Sequence, residues 1–258
     1  MPTFPENALD ATEDAVLGGR LVLRQPRRGH RVGHDAILLA AATPANAGEH
    51  AVDFGAGAGA AGLALAARVP GVRLTLAEID PALAAFAADN ISRNGFAERA
   101  RAVVLDVTAG ARAFAAAALP PGAAARVLMN PPFNDPATSR ASPDAARRRA
   151  HVSAGLEPWV RSAARLLGTG GTVTLIWRAD GVGDVLAALA RSFGAVTVQP
   201  VHPRPDAPAI RVLVRAAKGS RAPLALLPGL VLAGADGRPS EAADAVLRHG
   251  AALPLANL

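Results

Sequence analysis

The stretch HAVDFGAGAGAAGLALAARV, residues 50–69, does most to constrain the fold. A short strand of buried type runs straight into a turn of glycine and alanine, and an alanine–leucine helix follows at once. Small residues in such a turn let the backbone approach a neighbour or a ligand closely. The rhythm then repeats. VRLTLAEID reads as a second strand, and Pro81 opens the next helix at a position where proline is tolerated. ARAVVLD and TAGARAFAAAAL make a third strand and helix, and ARVLMN a fourth strand. A helix from Val160 to Leu167 leads into GGTVTLIW, and DVLAALARSF is the next helix. AVTVQPV and AIRVLVRA are two closing strands. Such alternation predicts an α/β fold, a mostly parallel sheet with helices on both faces.

The ends of the chain are less regular. Residues 1–19 read as a loose acidic tail and 20–49 as an N-terminal strand and helix extension, in which Asp35 reads as a helix N-cap. Residues 50–220 form the core, and 221–258 a C-terminal extension of two short strands and a helix capped by Ser240. No linker divides them, so one domain is expected over 1–258.

Composition sets few further limits. The chain lacks cysteine, which excludes disulfides, thiolate metal sites and cysteine nucleophiles. No metal is expected. Lys218 is the sole lysine, so the basic character is carried by arginine and reflects coding bias as well as function. The net charge of +6 leans toward acidic partners such as RNA. Neither a signal peptide nor a membrane-length apolar run is visible, so a soluble, cytoplasmic protein is expected.

In open parallel sheets, ligands bind at the carboxyl ends of the strands. Four strand ends here carry Asp53, Glu78, Asp106 and Asn130. The turn GAGAAG, Gly57 to Gly62, matches a nucleotide-binding pattern, and has a second, weaker reading as close helix–strand packing without a ligand. Glu78 strengthens the first reading, because a carboxylate there can accept both hydroxyls of a ribose. Asp106 is placed to accept an adenine amine. The expected nucleoside-site residues are Asp53, Gly55, Ala56, Gly57, Glu78, Ile79, Asp106, Val107 and Asn130.

The fourth strand ends in NPPF, Asn130, Pro131, Pro132 and Phe133. The Asn130 side-chain oxygen accepts hydrogen bonds. Two prolines lock φ and donate nothing, which holds the Pro131 carbonyl as a rigid acceptor. Phe133 offers a flat face to a planar group. Two acceptors beside an aromatic wall suit an NH2 on a conjugated system, such as a base amine or a glutamine amide.

In this order, VDFGAG, AEID, VLD and NPPF resemble the class I S-adenosylmethionine-dependent methyltransferases with an Asn-Pro-Pro-aromatic site. The resemblance covers about residues 20–220. It implies a Rossmann-like seven-stranded sheet with the last strand antiparallel, S-adenosyl-L-methionine as cofactor, and Asn130, Pro131, Pro132 and Phe133 as the catalytic tetrapeptide. The segment LVLRQPRRGHRVGHDAILLAA further resembles bacterial enzymes that N6-methylate adenine in valine tRNA. Gln25, Gly29, Asp35, Leu38 and Leu39 match, whereas His34 replaces a small hydroxyl residue. The resemblance thus implies tRNA as partner and N6 of adenine as target. Arg147, Arg148 and Arg149 are candidate phosphate contacts, and read equally as a solvated helix start. His30, His34 and His151 are available to assist, although a lone histidine is more often structural.

Three rival readings remain. A protein glutamine N5-methyltransferase uses the same tetrapeptide on an amide but is expected to carry more sequence ahead of the first strand. A nicotinamide dehydrogenase would use the glycine turn and leave NPPF without a role. A non-catalytic nucleotide or RNA binder would not need the intact tetrapeptide.

Overall fold

The computed structural model describes residues 11–28, 32–132 and 155–257. Its centre is a nine-stranded sheet. Strands β3 (His50–Phe54), β4 (Arg73–Glu78), β5 (Ala100–Val104), β6 (Ala124–Met129) and β7 (Leu167–Arg178) pair in parallel, in the order β5-β4-β3-β6-β7. Strand β9 (Arg211–Lys218) inserts between β7 and β8 (Phe193–His202), antiparallel to both. These seven strands are the expected Rossmann-like sheet with the last strand antiparallel. Two short strands, β10 (Ala225–Leu226) and β11 (Leu230–Val231), add to the outer edge of β8.

Side chains on the sheet alternate between two cores, as the two-residue repeat of a strand requires. Ala51, Leu74, Leu76 and Leu128 face one core, with helices α1 (His34–Ala42), α2 (Ala60–Arg68) and α3 (Pro81–Arg93). Val52, Phe54, Val127 and Met129 face the other, with α4 (Ala111–Ala116), α5 (Leu156–Leu166) and α6 (Val182–Leu189). Helices therefore cover both faces. The chain leaves β3 toward β4 on one side and returns to β6 on the other. That reversal is the switch point at which an open sheet forms a crevice.

Two local expectations need correction. The loose tail predicted for residues 1–19 contains strand β1 (Ala11–Val16), which pairs antiparallel with β2 (Leu21–Pro26) in a separate hairpin. Acidic residues that suggested a tail are partnered from afar: Glu13 bonds Arg93 at 2.8 Å, and Asp14 accepts from Gln25 at 2.7 Å. Asp35 is not the cap of α1. Gly33 occupies that position, and Asp35 lies in the first turn, paired with Arg211 at 2.9 Å. The Ser240 cap does form, accepting from Ala243 N–H at 3.0 Å at the head of α7 (Glu241–Leu247). Asp80 caps α3, with Pro81 directly behind it.

Candidate active site at the strand ends

Parallel register puts the ends of four strands level. Phe54 pairs with Ala77 on one side and Met129 on the other, and Glu78 pairs with Val104. The residues that follow, Gly55 after β3 and Asn130 after β6, are thereby neighbours at the switch point.

The glycine turn is held by the sheet's own end. Gly55 and Ala56 donate their N–H groups to the Ala77 carbonyl at 2.8 and 3.1 Å. Gly57 donates to Glu78 Oε2 at 2.8 Å, and Glu78 Oε1 accepts from Asp80 N–H at 3.0 Å. Glu78 therefore braces the turn in addition to standing at its edge. Gly57 has φ of +57°, and a β-carbon there would meet nothing within 4 Å. The turn is open on that side. Ile79, beside Glu78, is 58% exposed and presents an apolar face at the same end of the sheet.

Asp53 lies deeper. It is 2% exposed, and its Oδ2 accepts from Gly62 N–H at 2.8 Å. Burial pushes its carboxyl up to about 7; the Gly62 bond lowers it and the Glu78 charge adds to the rise. Its visible task is to hold the start of α2, where a β-carbon on Gly62 would collide with Leu76.

Asp106 stands two residues beyond the end of β5, half-buried, and its Oδ1 accepts from Thr108 N–H and Oγ1 at 2.8 and 2.7 Å. The Val107 side chain is buried in the second core, so only its backbone remains for a ligand. Asn130 is half-buried, Pro131 buried and Pro132 exposed. Phe133, Arg147, Arg148 and Arg149, together with Gly29, His30 and His151, lie outside the described residues.

Two contributors were not singled out from sequence. Trp159 on α5 packs its six-membered ring against Gly55. Asn90, fully buried in α3, donates to the carbonyl of Ala58 inside the glycine turn at 2.9 Å. A signal existed for each. Trp159 is one of two tryptophans in an aromatic-poor chain, and asparagine is a poor choice for a helix interior unless its amide has work to do.

Residues 30–202 match the model of the methyltransferase small domain family. The chain belongs to this family. Among similar proteins, one from Serratia proteamaculans named tRNA1(Val) (adenine(37)-N6)-methyltransferase is 31% identical over 189 residues, 71% of this chain and 69% of that protein. A protein of the same name from Tolumonas auensis is 31% identical over 173 residues, 66% of this chain and 68% of its own length. A solved structure from Agrobacterium tumefaciens, described as a predicted O-methyltransferase, superimposes with a TM-score of 0.73 at 33% identity, covering 85% of this chain and 98% of its own. A precorrin-6y C5,15-methyltransferase from Geobacter metallireducens shares the fold at a TM-score of 0.51 and 15% identity. In this methyltransferase, the matched span contains the glycine turn, the three strand-end acids Asp53, Glu78 and Asp106, and NPPF. Among the described residues, no group of His, Asp and Glu could hold a metal ion, and no helix is long and apolar enough to cross a membrane.

Proposed function

We propose that this methyltransferase transfers a methyl group from S-adenosyl-L-methionine to an exocyclic amine, N6 of adenine in a bacterial-type tRNA, in the cytoplasm. One observation carries the reading: the register of β3, β4 and β6, which sets Asn130 beside a glycine turn braced on Glu78. The names of the relatives from Serratia proteamaculans and Tolumonas auensis support the choice of target.

The residues present fit the cofactor. Gly57 leaves open space where a side chain would intrude, Ile79 offers an apolar surface for an adenine ring, and Glu78 has acceptor capacity left for ribose hydroxyls. When bound, S-adenosyl-L-methionine supplies an electrophilic methyl group on a positively charged sulfur.

The protein's part is orientation and polarisation. The Asn130 side-chain oxygen and the Pro131 carbonyl accept the two hydrogens of the target amine. As they do so, the nitrogen lone pair turns out of conjugation and toward the methyl group. Much of the acceleration comes from this placement; the amine becomes acidic once methylated and releases its surplus proton to solvent, so no strong base is required. Two acceptors match an amine with two hydrogens better than a hydroxyl, which offers one. That favours N-methylation over the O-methylation in the name of the Agrobacterium tumefaciens neighbour. Phe133 is assigned to stack on the base, and Arg147, Arg148 and Arg149 to phosphate.

The test is incubation of the protein with labelled S-adenosyl-L-methionine and unmodified bacterial tRNA, followed by nucleoside analysis. Label in N6-methyladenosine is expected. Label in glutamine of a protein substrate, or in no nucleoside at all, overturns the assignment.

A further inference from the structure

Buried amides spend their hydrogen bonds, and Asn90, at 0% exposure, spends three. Its Oδ1 accepts from Arg24 N–H at 2.7 Å. Its Nδ2 donates to the Arg24 carbonyl at 2.8 Å and to the Ala58 carbonyl at 2.9 Å. Arg24 belongs to β2 of the N-terminal hairpin, and Ala58 to the glycine turn.

One helical turn along α3, Asn94 repeats the first half of this pattern. Its Oδ1 accepts from Val22 N–H at 3.0 Å, and its Nδ2 donates to the Val22 carbonyl at 2.9 Å. Residues four apart share a helix face, and alternate strand residues direct their backbone groups the same way. The two asparagines therefore stand in for a neighbouring strand along the open edge of β2. They differ in one bond. The other Nδ2 hydrogen of Asn94, the C-cap of α3, returns to the Asn90 carbonyl at 2.8 Å, within the last turn of the helix. Asn90 alone reaches the turn.

We propose that Asn90 is a positioning residue for the cofactor turn, and that it couples cofactor binding to the N-terminal hairpin. The proposal rests on the assignment of the glycine turn to S-adenosyl-L-methionine. The hairpin carries the coupling onward, because Gln25, next to Arg24, accepts from Val32 N–H at 2.9 Å and so sets the lead-in to α1. A coupling of this kind is reciprocal: whatever the hairpin does to the turn, a ligand in the turn does to the hairpin.

Asn94→Ala is the matched control, since it removes two bonds to the hairpin and none to the turn. Asn90→Ala is expected to raise the KM for S-adenosyl-L-methionine, and the calorimetric Kd of S-adenosylhomocysteine, about tenfold, with kcat within about twofold. Asn94→Ala should leave both constants within about twofold of the parent. On the parent protein, which needs no mutation to fold, hydrogen exchange supplies an independent reading. Adding S-adenosylhomocysteine should slow exchange of the Arg24 amide more than that of Val22. Equal effects of the two substitutions, or no extra protection at Arg24, overturn the coupling. Failure of the parent to bind S-adenosylhomocysteine instead removes the cofactor assignment, a different result from binding without coupling.

Discussion

The indole of Trp159 lies so close under Gly55 that a β-carbon on Gly55 would stand 2.7 Å from its Cη2. The ring comes from α5 on one face of the sheet and fixes the point where β3 becomes the glycine turn. Gly55 is therefore glycine for two reasons, this contact and a φ of +67°.

Gly55→Ala should destabilise the fold by about 2–5 kcal/mol, from left-handed backbone strain and forced overpacking together. Gly57→Ala should cost only about 1–2 kcal/mol, because its β-carbon meets no protein atom. That β-carbon would instead fill space assigned to the ligand. Thermal unfolding should thus single out Gly55→Ala, whereas calorimetry with S-adenosylhomocysteine should show Gly57→Ala folded and weakened in binding. A Gly57→Ala protein with parental affinity would move the ligand away from this turn.

Glu78 accepts from Gly57 and Asp80, so its removal does two things. It takes away the proposed ribose acceptor, for which about 1.5–3 kcal/mol is usual when one partner is charged. It also frees the Gly57 N–H and loosens the turn. Glu78→Ala should therefore lose affinity toward the upper end of that range or beyond, with a measurable fall in melting temperature. Parental affinity in calorimetry would leave Glu78 as a structural brace and no more.

Asp53 gives a pH signature. The folded protein holds the Asp53 proton up to about pH 7, against 3.8 for the carboxyl's ordinary value. Between those values the folded state binds more protons than the unfolded chain. Its contribution to stability is full below pH 3.8 and is lost as pH rises through 7. Asp53→Asn removes the buried charge while keeping an acceptor for Gly62. The variant should gain on the parent between about pH 4 and 7, by at most about 4 kcal/mol at roughly 1.4 kcal/mol per pH unit. Taking the difference between the two proteins cancels His50, whose burial lowers its own affinity for protons in both. Parallel stability curves over this range would place Asp53 in a wetter site than its 2% exposure allows.

How much of this was legible in sequence depended on whether the signal was local. Alternation of strand and helix sufficed for the sheet, because each strand carries its own apolar run and each turn its own glycine or proline. The capped α7 was legible for the same reason, whereas the antiparallel setting of β9 was implied only by the family resemblance. The hairpin strand Ala11–Val16 was not, since its acids are answered by Arg93 and Gln25, 80 and 11 residues beyond their partners. Glu78 and Asn130 were recognisable as strand-end polar groups, but the brace from Glu78 to Gly57 is a matter of register. Trp159 and Asn90 were missed because what each touches, Gly55 or Ala58 and Arg24, lies on another element.

Asn130 bears the most specific prediction. It follows β6 directly, level with Gly55 across the switch point, half-buried and flanked by a buried Pro131. Asn130→Ala removes one of the two proposed acceptors for the target amine while leaving the hydrogen bonds of the glycine turn in place. The lost bond acts mainly in the transition state, where the amine gains positive charge and its hydrogens become better donors. The rate should fall by about 10²–10³, the usual consequence of deleting one preorganised polar group at a site of developing charge. Affinity for S-adenosylhomocysteine and melting temperature should stay close to the parent values. Asn130→Asp keeps an acceptor oxygen and should retain more activity than Asn130→Ala. Single-turnover methylation of tRNA under saturating cofactor separates these cases. An Asn130→Ala protein that binds cofactor and methylates at the parental rate would reduce NPPF to a stiff exit from β6.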